Sequence, residues 1–535
     1  MFVSSIRISL NMRFFVMAIL ISAVPLGARS FEADVCVYGG TSGGVIAALE
    51  VARAGKTAVI FEPGEHLGGM SSGGLGWTDF ANKSAVGGMA REFYREVGKR
   101  YGKPEEYTLE PHIAEQVFDD LARTRGITVR FHERIARLTK KRLAISQMLA
   151  ESGDSCQAPM FIDASYEGDL LPKAGISFIV GRESNSQYGE TLNGIQPPAT
   201  NARAGKFEVP IDPYRKKGDP SSGILPYLLR DEPLGTIGSA DSRVQAYNYR
   251  LCLTDVSENR VPIAPSAGYD PANFELLARW IEARVAAGGA IHLSDFLKYD
   301  PLPNRKWDFN NRWPISTDYL GGSDKYPEAT WEEREKICQR HQDYLRDFLH
   351  FLSTDRRVPQ VVRDETSRFG LAKDEFTKTH NWPHQIYVRE ARRMISDYVM
   401  TEAHARGTKI APHPVALAAY SIDIHAVRRI VIDGQPKNEG SNGGAILHPY
   451  PVAYETIVPR KRECSNLLAP FCLSASHVVF GSIRMEPVFM ELSQTAAMAA
   501  MLATEEHVAV QDVNYEKLKT KLKAAGVVFA WPLKE

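Results

Sequence analysis

From residue 34 onward, apolar positions fall into two kinds of pattern. Asp34-Val35-Cys36-Val37-Tyr38 is a short unbroken apolar run, the signature of a strand buried on both faces of a parallel sheet. After six small residues at 39–44, the positions Val45, Ile46, Leu49, Val51 and Ala52 recur with helical spacing, and Gly55 supplies a C-cap. Thr57-Ala58-Val59-Ile60-Phe61 is a second strand that ends on Glu62, completing a βαβ unit. Residues 134–160 alternate around the basic turn Lys140-Lys141-Arg142 and predict a β-meander. Phe161-Ile162-Asp163-Ala164 reads as a short strand ending in an acid. Helical spacing recurs near 273–286, 331–352 and 383–405. Near the C-terminus, Arg484-Met485-Glu486-Pro487 opens a helix rich in alanine and methionine, with Pro487 in its first turn.

The loop Gly39-Gly40-Thr41-Ser42-Gly43-Gly44 carries the first candidate chemistry. Gly39 allows a tight exit from the strand, and Gly44 allows the helix to pack closely on the sheet. The free N–H groups at the helix start suit a pyrophosphate. Glu62, a little over 20 residues past Gly39, can accept hydrogen bonds from ribose hydroxyls. One departure from G-x-G-x-x-G is Thr41 at the second glycine; its hydroxyl either crowds or donates to a phosphate. A second glycine-rich stretch, with Leu67, Gly68, Gly69, Met70 and Gly73-Gly74, follows directly. A simple NAD domain would proceed to another helix and strand. A flavoprotein of the glutathione-reductase type runs bare backbone back along the long ligand instead.

These stretches resemble the bacterial FAD-dependent oxidoreductases, some of which carry the label xanthan lyase. The resemblance extends through Phe161 to Leu170, Tyr247 to Thr254, Tyr387 to Arg393, and Ser474 to Met490. It implies an α/β fold, with a three-layer Rossmann-type FAD-binding domain on a parallel sheet and an inserted α+β substrate or cap domain. It also implies non-covalent FAD. Beside the 39–44 loop and Glu62, the expected cofactor contacts are Gly68, Gly69, Met70, Asp163, Gly168 and Asp169, together with Arg484 and Glu486 at the flavin's pyrimidine edge. The flavin domain is expected over 31–180 and 441–535, with 181–440 as the substrate lobe. Residues 307–313 concentrate aromatics and amides, which suit either a sugar-like or planar ligand or interdomain packing.

Composition narrows the rest. Basic and acidic residues balance at 64 each, which argues against a dedicated nucleic-acid binder. Arg7 and Arg13, an apolar run from Phe14 to Leu26 and the small residues Ala28 and Ser30 have the order of a signal peptide over 1–30. Export follows as an expectation, with no membrane span after cleavage. Six cysteines without a C-x-x-C spacing suggest no zinc site; in an oxidising compartment they can pair, and Cys464 and Cys472 lie nearest in sequence.

A flavin oxidoreductase needs a base beside the hydride acceptor. His477 and His425 are the candidates, with Arg389 to hold a carboxylate or the flavin edge, and Glu390 as an ion-pair partner. Three readings stay open: hydride transfer between FAD and a small organic substrate, carbohydrate derivatives included; a lyase or isomerase on the same scaffold; and a flavin electron-transfer module. The electron acceptor is not identified.

Overall fold

In a computed structural model, residues 27–200, 205–312 and 314–532 are described. The elements that carry the site are β1 (Val35–Tyr38), α1 (Ser42–Arg53), β2 (Ala58–Glu62), α2 (Gly88–Arg100), α3 (Pro111–Ala122), β3 (Ile127–Phe131), β4 (Met160–Asp163), β5 (Leu467–Leu468), α4 (His477–Ile483) and α5 (Glu486–Glu506). Five strands form one sheet in the order β5-β4-β1-β2-β3, and every neighbouring pair is parallel. The strand order reverses beside β1, so the loop leaving β1 opens into the crevice at the switch point.

Period-two alternation sorts the sheet's side chains between two cores. Val35, Val37, Ile60 and Ile162 pack with α1 and α5 on one face. Cys36, Tyr38, Phe61 and Phe161 pack on the other, against Ile135, Ile145 and Met148. Those last residues belong to the predicted meander, observed as Ile135–Lys141, Ala144–Ala150 and Ser155–Gln157, with Ser30–Glu32 added in parallel. Helices, parallel sheet and meander are the three layers expected of a Rossmann-type domain.

Two glycines bring α1 to its position. A Cβ on Gly44 would run into the carbonyl oxygen of Gly39, so only glycine lets the helix close on the strand exit. On Gly43 it would strike Ser493 of α5 and Phe471, so the same turn also sets the α1–α5 approach.

The middle of the chain holds an antiparallel sheet in the order Arg260–Val261, Gly370–Ala372, Leu251–Thr254, Lys306–Asn311, Leu297–Leu302. Helices Glu275–Ala286 and Trp331–Thr354 appear near their predicted places, the second behind a Thr330–Glu333 capping box. The helix expected over 383–405 does not form, apart from the single turn Glu402–Ala405. Its amides bond to distant segments instead: Tyr387 N–H to Asn248, Met394 N–H to Cys472 and Ile395 N–H to Ser177. The aromatics at 307–311 lie on a strand, where Phe309 is buried and Trp307 and Phe309 pack on Phe369. That is packing within the lobe; Trp313 lies outside the described residues. All six cysteines are free thiols. Among the described residues no helix is long and apolar enough to cross a membrane. The signal-peptide reading falls mainly on residues 1–26, outside those described.

Buried ion pairs bind the two regions. Lys306 Nζ lies 2.7 Å from Glu110, 2.8 Å from Asp374 and 2.5 Å from Glu375, and Glu110 immediately precedes α3. Removing one partner of a buried pair strands the others in a medium that solvates charge poorly. Lys306→Met is expected to lower unfolding free energy by about 3–5 kcal/mol in urea denaturation; a change below about 1 kcal/mol would refute the clamp.

Candidate active site

Thr41 caps α1: its Oγ1 accepts from Gly44 N–H at 3.2 Å and donates to Ala164 O at 2.8 Å. The departure from the glycine pattern is thus explained by a helix cap. Ser42 and Gly43 occupy the first two helical positions, whose amides have no acceptor within the helix. Glu62 accepts from Gly40 N–H at 2.5 Å and Gly64 N–H at 2.6 Å. Burial pushes its carboxyl up to about 7, against the pull of those two amides. The second glycine stretch lies alongside the first, with Gly68 N–H donating to Gly40 O at 2.8 Å. Gly68 and Gly69 both have positive φ, and a Cβ on Gly69 would press on the Tyr166 hydroxyl.

A second helix start meets the first. Glu486, the first residue of α5, accepts from Ser42 Oγ at 2.6 Å, Ser71 Oγ at 2.8 Å and Tyr166 OH at 2.7 Å. The Tyr166 hydroxyl in turn accepts from Met70 N–H at 2.8 Å. Two positive helix ends, α1 and α5, therefore converge on one buried carboxylate, the arrangement that favours negative charge. Burial raises the Glu486 carboxyl, although Ser42, Tyr166 and Ser71 all donate to it.

Two residues before α5, Arg484 begins a charged network. Its Nη2 lies 3.2 Å from Asp423, whose Oδ2 is 3.2 Å from His425 Nε2. His425 Nδ1 is 2.7 Å from Asp318, and Asp318 is 3.0 Å from Arg389. Burial alone would raise Asp318, but Arg389 and His425 outweigh it and hold the carboxyl low. Gln245 joins this chain to the other histidine: its Oε1 accepts from His425 N–H, and its own N–H donates to Glu390. Glu390 lies 2.8 Å from His477 Nδ1, and His477 with Arg393 holds it below the carboxylate range despite burial. Close packing sets the geometry: a Cβ on Gly481 of α4 would press on the Asp423 carbonyl. The three catalytic candidates, distant in sequence, thus share one network. Gln245 and Asp318 are members that motif reading missed, while Asp423 stands two residues before His425 in the Tyr420–His425 stretch. Gln245 and Asp318 sit in stretches with no distinguishing pattern.

The profile of the FAD dependent oxidoreductase family matches residues 34–522, nearly the whole chain. The protein belongs to this family. No functionally curated protein matches the sequence significantly. Among solved structures, the chain is similar to THI4 of Thermovibrio ammonificans, with 22% identity over 28% of this chain and 66% of that one, at a TM-score of 0.23. L-proline dehydrogenase from P. horikoshii shares 14% identity over 30% and 59% of the two chains, at 0.23. The 3-ketosteroid-delta4-(5alpha)-dehydrogenase from Rhodococcus jostii RHA1 shares 16% over 29% and 50%, at 0.19. The aligned part spans less than two thirds of each of these chains.

An FAD-dependent oxidoreductase needs a cradle for its cofactor, and the residues here fit one. A Cβ on Gly40 would meet Leu67 at 2.5 Å and the Glu62 carboxylate at 3.1 Å, so the bare backbone keeps that approach open. Glu62 keeps acceptor capacity beyond its two amides. Ser42 and Gly43 would hold the diphosphate, Glu62 the ribose, and the start of α5 the flavin's pyrimidine edge. A diphosphate beside Glu486 would favour that residue's protonated form further, in the direction burial already drives it.

Other expected contacts spend their carboxylates on the protein. Asp163 accepts from Ser165 N–H, Ser165 Oγ and Leu170 N–H, fixing the turn after β4. Asp169 is bidentate with Arg334 and also pairs with Arg392. The Gly168 backbone turns with φ of 65° against Cys472. Glu110, His112 and Glu375 bring possible metal ligands within 4.8 Å of one another, but the Lys306 ammonium already supplies the cation there. Burial lifts fully enclosed Asp163 to about 7 from 3.8. The unfolded chain then holds fewer protons between those values, so this residue's contribution is intact below about pH 4 and is lost as pH rises through about 7. Asp163→Asn is expected to remove about 4 kcal/mol from the fall in stability between pH 4 and 7.5. Parallel urea melts of wild type and variant with equal pH slopes would contradict this.

Proposed function

We propose that the protein transfers a hydride between a small organic substrate and non-covalently held FAD. The observation that carries this reading is the junction of two helix N-termini, α1 and α5, with the Arg484–Asp423–His425–Asp318–Arg389 chain starting beside α5. When bound, FAD supplies the hydride acceptor. The protein's own task is to position the substrate and take the accompanying proton. Asp423, with 43% of its side chain exposed, is the outward member of a pair with His425. It faces a cleft of about 60 Å³ that Asp318, His425 and Asn438 also line. A proton leaving the substrate's heteroatom passes to this pair, while Arg389 fixes Asp318 behind the imidazole and so fixes the ring. His477, hydrogen-bonded to Glu390 and 1% exposed, acts through Gln245 as a positioning residue.

Non-covalent attachment is supported at His66, the histidine of the second glycine-rich stretch and a residue type that can bond flavin covalently, because it contacts Glu115 at 2.6 Å and stacks on His384 at 4.0 Å. A division into a flavin domain at 31–180 with 441–535 and a substrate lobe at 181–440 is supported by β5 lying beside β4. Export belongs to the same proposal and is supported by the charged, apolar and small-residue order of residues 1–30.

Purified protein is expected to be yellow or to take up added FAD, with the flavin lost on denaturation in acid. Glu62→Gln removes a charged acceptor and should weaken FAD uptake roughly tenfold or more by fluorescence titration. Anaerobic screening of a metabolite panel should find a compound that bleaches the wild-type flavin. Well-folded protein that stays colourless and refuses FAD would sink the proposal. Turnover of a substrate without any bleaching would favour the lyase or isomerase reading.

A further inference from the structure

The ring of Tyr387 is surrounded by three buried arginines. The guanidinium carbons of Arg389, Arg484 and Arg250 lie 4.8, 5.5 and 6.0 Å from its centroid. Each of these side chains is at most 2% exposed. Each is anchored on one side: Arg250 is bidentate with Asp308, Arg484 binds Tyr387 OH and Asp423, and Arg389 donates to Ala246 O. Each also keeps buried nitrogens outside hydrogen-bond reach of an acceptor, namely Arg250 Nη1, which lies 3.9 Å from the Asp79 carboxylate, Arg484 Nε, and Arg389 Nε and Nη2. Arg389 Nη2 is near Asp318 but misses hydrogen-bond geometry, which leaves Asp318 Oδ1 unmatched as well. Buried orphan polar atoms are rare, because each forfeits its hydration without replacement. Four guanidinium nitrogens around one ring are an excess of donors that an oxygen-rich anion would satisfy.

Charge points the same way. Partner carboxylates raise Arg250, and Tyr387 and Asp423 raise Arg484, against the burial that opposes both. Arg389 alone of the three is lowered: burial outweighs the attraction of Asp318, and Arg484 adds repulsion. A planar carboxylate matches a guanidinium fork in geometry as well as sign. The location suits a reacting molecule, since Arg484 lies two residues before α5 and Asp318 and Asp423 line the cleft beside His425.

We propose that the substrate is a small organic acid, whose carboxylate is received by Arg389 with Arg250 and Arg484 around Tyr387. This rests on the hydride-transfer reading above, which places the redox end of the cofactor beside α5. The acid would present its oxidisable carbon to the flavin and its heteroatom proton to Asp423 and His425.

The test uses the FAD-loaded full chain, titrated at constant ionic strength with malonate and benzoate and with their neutral amides, malonamide and benzamide. Calorimetry and the visible flavin spectrum are the two readouts. At least one carboxylate is expected to bind saturably and perturb the spectrum, and neither amide is. Arg389→Lys keeps the charge but loses the fork, and should bind the carboxylate roughly tenfold more weakly while taking up FAD as the wild type does. Equal binding of acid and amide, no binding of either carboxylate, or undiminished binding in a folded Arg389→Lys protein would overturn the proposal. If that variant does not fold, the acid-against-amide comparison in the wild type decides the matter alone. Calorimetry on flavin-free protein separates the two readings: failure to take up FAD sinks the cofactor reading, while FAD uptake with indifference to carboxylates sinks only this one.

Discussion

The architecture hangs on the distance between one helix and two neighbours. Because Gly44 lacks a side chain, α1 closes on the exit of β1; because Gly43 lacks one, α5 closes on α1 from the other side. A methyl group at either place would have to displace backbone or the packed Ser493 and Phe471. These contacts bring together the first residues of two helices that are 444 positions apart in sequence, joined by the Ser42–Glu486 hydrogen bond. Unpaired amides and helix dipoles then share one small volume, and the affinity for negative charge follows from that coincidence.

Around this junction the protein buries an unusual amount of charge. Arg182, Arg250, Arg389 and Arg393 are each 1% exposed or less. Most are matched: Arg182 with Asp241 and Glu439, Arg250 with Asp308, Arg393 with Glu183. Burying such pairs costs desolvation that their attraction offsets only where the geometry is good, and removing one partner strands the other. Their effect here is geometric. Arg182 links Asp241 to Glu439, Arg250 braces the strand that carries Asp308, and Arg393 joins Glu183 to the Ala475 carbonyl. Arg389 pairs with Asp318 at 3.0 Å and keeps two nitrogens without a hydrogen-bond acceptor, where Arg250 and Arg393 each keep one.

Much of this was legible in the sequence where local chemistry decides it. The run at 35–38, the six small residues after it, the helix and the strand ending at Glu62 each follow from periodicity and steric permission, which act within a few residues. The meander and the α5 start with Pro487 were legible for the same reason. Reading failed at 383–405, where Arg389, Arg392 and Arg393 share a helical spacing but reach three separate sets of acceptors. Backbone amides there bond to segments far away in sequence, and local propensity has no term for that. The aromatics at 307–311 were ambiguous because ligand stacking and core packing use the same residues.

The sequence alone determined the parallel-sheet unit, the glycine turn leaving its first strand and the second strand ending at Glu62, because those depend on neighbours along the chain. Only the tertiary structure decided that Thr41 is a helix cap, that Asp163 and Asp169 serve the protein's own turns and ion pairs, and that His425, His477 and Arg389 join through Gln245 and Asp318. Those outcomes depend on which carboxylates and amides meet across hundreds of residues. In a low-dielectric interior, each buried polar group is fixed by the partner it finds in space.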